Sequence, residues 1–73
     1  MEFPRNRLIT GSPVDYEELV VDIVMNDKYL ARVQMENGKD KMMLEFFEDL
    51  ADIKVDLEEF IQLIKDAQSI LLK

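Results

Sequence analysis

Residues 18–25, ELVVDIVM, read as a strand that is apolar on both faces, with Leu19, Val21, Ile23 and Met25 on one side and Val20 and Val24 on the other, Asp22 breaking the second set. Two dipeptides punctuate the stretch from Glu18 to Phe47. Asn26-Asp27 and Asn37-Gly38 are residues that tolerate positive φ, as tight hairpin turns require. The pattern therefore predicts strands over 18–25 (ELVVDIVM), 28–36 (KYLARVQME) and 39–47 (KDKMMLEFF), joined as an antiparallel meander. Beyond residue 56 the period changes. Leu57, Phe60, Ile61, Ile64, Ala67 and Leu71 recur at i, i+3, i+4 and i+7, which predicts a helix over about 57–72. Asp56 stands at its N-cap with Glu59 three residues on, and Val55 and Phe60 occupy the two positions of a hydrophobic staple. The expected fold is α+β: a three-stranded antiparallel β-meander followed by one C-terminal α-helix packed on one sheet face. Residues 17–73 form that single β-β-β-α domain, behind an irregular N-terminal arm over 1–16 punctuated by Pro4, Gly11, Ser12 and Pro13.

Two-residue turns fix a register. Val24 faces Tyr29, Asp22 faces Ala31 and Val20 faces Val33; across the second turn Val33 faces Met42, Ala31 faces Leu44 and Tyr29 faces Phe46. These residues share the face expected to lie under the helix, with Asp22 its only charge. The opposite face carries Leu19, Val21, Ile23, Met25, Leu30, Met43 and Phe47, interrupted by Arg32, Gln34 and Glu45. An antiparallel face open to water alternates to polar residues, and this one does not. Burying five such side chains yields roughly 7–15 kcal/mol at about 1.5–3 each, against an association cost of roughly 4–15 kcal/mol. The seven residues are therefore a candidate oligomer interface, with a homodimer expected and strand 18–25 free as an edge to pair with its own copy. The competing reading has the N-terminal arm fold back over the patch.

Composition narrows the chemistry. The 73 residues make one small domain, and chains of this size often need a disulfide, a metal or a second chain to be stable. Cysteine and histidine are both absent, which removes disulfides, the usual zinc sites and the commonest general base. Ser12, Ser69 and Thr10 have no histidine to activate them. Asp22 is the one carboxylate on a face otherwise apolar; the plainer reading is an edge-strand aspartate leaning into water. The stretch DLADIKVDLEE lacks the spacing and the central glycine of a calcium loop. No catalytic, metal or cofactor site is expected, and the chain is not expected to be an enzyme.

Charge points to a partner class. Sixteen Asp and Glu against nine Lys and Arg leave a net charge of −7, which disfavours nucleic acid and favours a basic protein. Lys28, Lys39 and Lys41 lack the interleaved aromatics of a nucleic-acid platform. The acidic stretch holds Glu45, Glu48, Asp49, Asp52, Glu58 and Glu59, read either as a surface for a basic protein or as a solvated loop with charge favourable at a helix N-terminus. The methionines Met25, Met35, Met42 and Met43 read as adaptable filler. No apolar run approaches the roughly 18 residues of a membrane span, and the first residues lack the apolar core of a signal peptide, so the expected compartment is the cytoplasm.

Residues 16–72 also carry a family resemblance. The strand opening EELVVDI at Glu17, the turn and strand NDKYLA at Asn26, the turn ENG at Glu36, LEF at Leu44 and the helix end AQSIL at Ala67 resemble small bacterial immunity proteins of polymorphic toxin systems. The chain departs from that pattern in EFFEDLADIK, before the helix. The resemblance implies a small acidic antidote that binds a cognate toxin and blocks its active site or substrate path without chemistry of its own, and nuclease toxins of such systems are often basic. The residues and the resemblance together lead to a non-catalytic acidic protein-binding module. The alternative is a homo-oligomerisation or regulatory scaffold module with no toxin partner.

Overall fold

The computed structural model describes residues 5–47 and 52–73. Four antiparallel strands lie side by side in chain order: β1 (Arg7–Gly11), β2 (Val20–Met25), β3 (Lys28–Gln34) and β4 (Met43–Phe46). The helix α1 (Leu57–Leu72) follows. The α+β class, the antiparallel sheet and the single C-terminal helix agree with the periodicity. The strand count does not. Arg7–Gly11, expected within an irregular arm, pairs with β2 from Arg7 opposite Val24 to Gly11 opposite Val20. Its apolar pair Leu8-Ile9 puts one side chain on each face, so five residues show no alternation to read.

The β2–β3 hairpin starts as expected. Asn26 and Asp27 both take positive φ, 53° and 62°, the left-handed pair of a type I′ turn. Met25 then faces Lys28 and Val24 faces Tyr29. Beyond that point a bulge intervenes: Ile23 faces Ala31, Asp22 faces Arg32 and Val21 faces Val33, which leaves Leu30 without a partner of its own on β2. A one-residue slip exchanges faces. The helix therefore covers Val21, Ile23 and Met25, together with Leu30 and Val33, and the face of Val20, Asp22 and Val24 is turned away from it.

The second connection is wider than a two-residue hairpin. Met35 leaves the ladder and is buried in the core. Two successive turns follow, closed by Gly38 N–H to Met35 O at 3.0 Å and Lys41 N–H to Gly38 O at 3.2 Å. Gly38 sits at φ 106°, a conformation side chains rarely adopt. The pairing moves by two residues, so Val33 faces Leu44 rather than Met42, and Ala31 faces Phe46. A shift of two preserves faces, and Leu44 still shares one with Val33.

Helix α1 begins and ends where the periodicity puts it. The Asp56 carboxylate accepts the Glu59 backbone N–H at 2.9 Å, satisfying one of the unpaired donors of the first turn. The Glu59 carboxylate is turned elsewhere and accepts from the Asn6 side-chain amide. The buried stripe is rotated from the expected one. Phe60, Leu63, Ile64, Ala67, Ile70 and Leu71 pack on the core, whereas Leu57 and Ile61 are exposed. The segment before β1 is held at the hairpin turn: Asn6 Oδ1 accepts from Asn26 N–H at 2.9 Å, Arg5 O accepts from Asp27 N–H at 3.1 Å, and Arg5 and Arg7 both reach the Asp27 carboxylate. Asn26 Nδ2 also donates to the Lys54 carbonyl at 3.4 Å.

Candidate protein-binding edge

The face of the sheet away from α1 carries a row of charge. Asp22, Arg32 and Glu45 stand side by side on β2, β3 and β4. Arg32 has a carboxylate on each flank and takes Asp22, with Nε to Oδ1 at 2.6 Å and Nη2 to Oδ2 at 3.1 Å. That bond holds the guanidinium pKa above its ordinary range, against a burial effect that lowers it; Tyr16 acts in the same direction as Asp22. The guanidinium also lies 5.2 Å from the Tyr16 ring centre and 5.3 Å from that of Phe47, within cation–π range of both. Phe47 meets Tyr29 edge to face, with centroids 6.1 Å apart. Asp22 is only 9% exposed, so it is neither an edge residue nor leaning into water.

The second apolar face of β2 is buried within the chain. Val20 and Val24 are as deeply buried as Val21 and Ile23 on the helix side. β1 pairs along one edge of β2, and the Asp22–Arg32 pair lies on the face away from α1. The expected oligomer interface must be corrected accordingly. Val21, Ile23, Met25 and Leu30 belong to the intramolecular core under α1 and have no surface to offer a second copy. The strand that contains them is not an edge, because β1 occupies it. Leu19 and Met43 are partly exposed, and Phe47 packs with Tyr29 and Arg32.

Among the described residues the acidic positions are not gathered into one patch. Glu45 points away from the helix side of the sheet, whereas Glu58 and Glu59 lie in the first turn of α1 with Asp52 shortly before it. Glu48 and Asp49 lie outside the described residues. Glu45 accepts a hydrogen bond of 2.5 Å from the Tyr16 hydroxyl. This bond pushes the Tyr16 phenol above its ordinary pKa, while Arg32 beside it pulls the other way. Among the described residues no lysine or arginine pairs with Glu45, and no group of three or more Asp or Glu converges as a metal would need. No helix among them is long and apolar enough to cross a membrane.

What the structure does bring together is β4. It is an outer strand, and two of its four residues expose large apolar side chains, Met43 at 43% and Phe46 at 64%. The opposite outer strand, β1, exposes none. A groove of about 160 Å³ runs between β4 and α1, lined by Val33, Met42, Met43, Leu44, Ile64 and Gln68. A second, of about 230 Å³, lies on the other side of the same strand, lined by Tyr16, Arg32, Glu45, Phe46 and Phe47. Phe47 N–H donates to Leu30 O at 3.2 Å, which makes that a hydrogen-bonded pair. By the alternation of an antiparallel ladder, the N–H and C=O of Leu44 and Phe46 then point outward, away from β3.

Of the residues named from sequence, Met43, Glu45 and Phe47 lie at this edge. Tyr16, Arg32 and Phe46 are not among the candidate site residues read from the sequence. The bulge is what brings Arg32 opposite Asp22. No protein-family model matches the chain, and comparisons with curated proteins and with solved structures likewise return no match.

Proposed function

We propose that this chain is a non-catalytic protein-binding module that holds its partner along β4. The observation that carries the reading is an outer strand with unpaired backbone groups, exposed apolar side chains and a groove on each flank. Edge strands left in this condition are templates for another chain. A net charge of −7 supports a basic partner, and the likeness of residues 16–72 to immunity proteins supports a toxin as that partner. The absence of histidine and cysteine from the sequence, and the use of Asp22 to hold Arg32, leave the chain to act by shape and charge.

Site-specific photocrosslinking tests this. A benzophenone amino acid is placed at Phe46, and in a second protein at the exposed Gln62 on α1. The expected result is a partner joined from position 46 and not from 62, which arrests growth when expressed alone and is tolerated when this chain is co-expressed. Equal crosslinking from both positions, or none from 46, overturns the edge reading. A partner that is harmless by itself overturns the toxin assignment.

A further inference from the structure

We infer that β4 receives an extended segment of a basic protein in which aliphatic residues alternate with lysine or arginine. This rests on the edge reading above and deepens it. A strand added to β4 bonds to the outward N–H and C=O groups of Leu44 and Phe46, and its successive side chains go to opposite faces of the sheet. The two faces ask for different side chains.

On the helix side the added strand meets the groove formed by Val33, Met42, Leu44 and Ile64. Its walls are apolar apart from Gln68, and an aliphatic side chain placed there leaves no buried group unpaired. On the other side it meets Glu45. The neighbouring cation, Arg32, is committed to Asp22, and the only hydrogen-bond donor to Glu45 among the described residues is the neutral Tyr16 hydroxyl. Glu45 therefore has no ion-pair partner of its own among the described residues, in a groove that also holds Arg32 and the rings of Tyr16 and Phe47. The Arg32 guanidinium already lies against both rings, so the carboxylate is the group that suits a lysine or arginine side chain of the added strand.

A second copy fits less well. Pairing β4 with its own copy about Leu44 sets Glu45 opposite Met43, and pairing about Glu45 sets the two carboxylates against each other. Neither of these registers supplies a cation; pairing about Met43 would set Glu45 opposite Lys41, which lies outside β4 in the turn closed on Gly38, and each chain brings a further charge of −7.

The test uses the full chain and acetylated, amidated hexapeptides, read by amide shifts and hydrogen exchange. A peptide alternating valine and lysine is expected to protect the Leu44 and Phe46 amides. One alternating valine and glutamate is expected not to. Glu45→Gln is expected to weaken the valine–lysine peptide about fivefold, in line with a partly exposed ion pair. Phe46→Pro removes an outward N–H without breaking a bond to β3 and is expected to abolish binding, whereas Phe46→Thr, which keeps that N–H, retains it. Equal binding of the two peptides, or no protection at millimolar peptide, overturns the alternation rule. If Phe46→Pro still removes the crosslinked partner, the edge reading survives that failure. A concentration-dependent dimer abolished by Phe46→Pro assigns the edge to a second copy and overturns the inference.

Discussion

Asp22 and Arg32 face each other across β2 and β3 and are joined at two points, at 2.6 and 3.1 Å, with side chains 12% and 19% exposed. A charge pair this far from water costs desolvation to form and costs more to break, since removing one partner strands the other. Arg32→Ala is expected to lower unfolding stability by about 3 kcal/mol, and Asp22→Ala by a similar amount. Replacing both together, Asp22→Leu with Arg32→Met, is expected to recover most of that loss. Urea denaturation of the three variants, followed by far-UV circular dichroism, measures it. Equal losses in the double and single variants would show that the pair contributes more than the avoidance of a stranded charge.

Tyr16 offers a titration. Its hydrogen bond to Glu45 raises the phenol pKa, so the neutral phenol is favoured in the folded chain. A raised folded pKa contributes stability that is fully present below the unfolded value, about 10, and is lost as pH rises through the folded one. In a Tyr29→Phe background Tyr16 is the sole tyrosine, since the chain has two. Its ultraviolet titration is expected above the ordinary phenol range. Adding Glu45→Ala is expected to bring it down, because the hydrogen bond that raises it most is removed while the lowering effect of Arg32 remains.

The helix cap sets a smaller effect. Asp56→Ala removes the acceptor for the Glu59 backbone N–H and is expected to cost about 1 kcal/mol, seen as a lower thermal midpoint. Asp56→Ser keeps an acceptor and is expected to stay near the original midpoint.

Ala67 tests how closely α1 lies on the sheet. It is wholly buried in the stripe of α1 that faces the core, among large neighbours. Ala67→Leu adds volume where none is free and is expected to destabilise by about 1–3 kcal/mol. Ala67→Gly, which keeps the space, is expected to cost about 1 kcal/mol through helix propensity alone. Denaturant midpoints separate the two.

How much of this was legible depends on how many faces each segment buries. Helix α1 buries one stripe, and its limits, cap and first-turn charges could be read from spacing. The Asn26-Asp27 turn announces itself because few residues accept positive φ twice in succession. Strand β2 is different. Val20, Val21, Ile23 and Val24 are all buried, so hydrophobicity cannot say which face meets the helix. Asp22 was the only clue, and it misleads unless Arg32 is known to stand opposite. That placement depends on the bulge at Leu30, where two adjacent apolar residues, Leu30 and Ala31, are both buried and no glycine marks the irregularity. For the candidate site, Met43, Glu45 and Phe47 were visible as residues of the last strand. The pairing of Glu45 with Tyr16 spans 29 positions, which no local pattern records.

The bonds made by Asn6 have a kinetic consequence. The Asn26-Asp27 hairpin closes over two residues and can form early from its own neighbours. The contacts of Asn6 join positions 20 residues apart at Asn26 and 53 apart at Glu59, and chain entropy delays such closures. The central hairpin is thus expected to form first, with the leading segment docking onto it afterwards. Under load the expected order is the reverse, the first strand detaching before the hairpin opens.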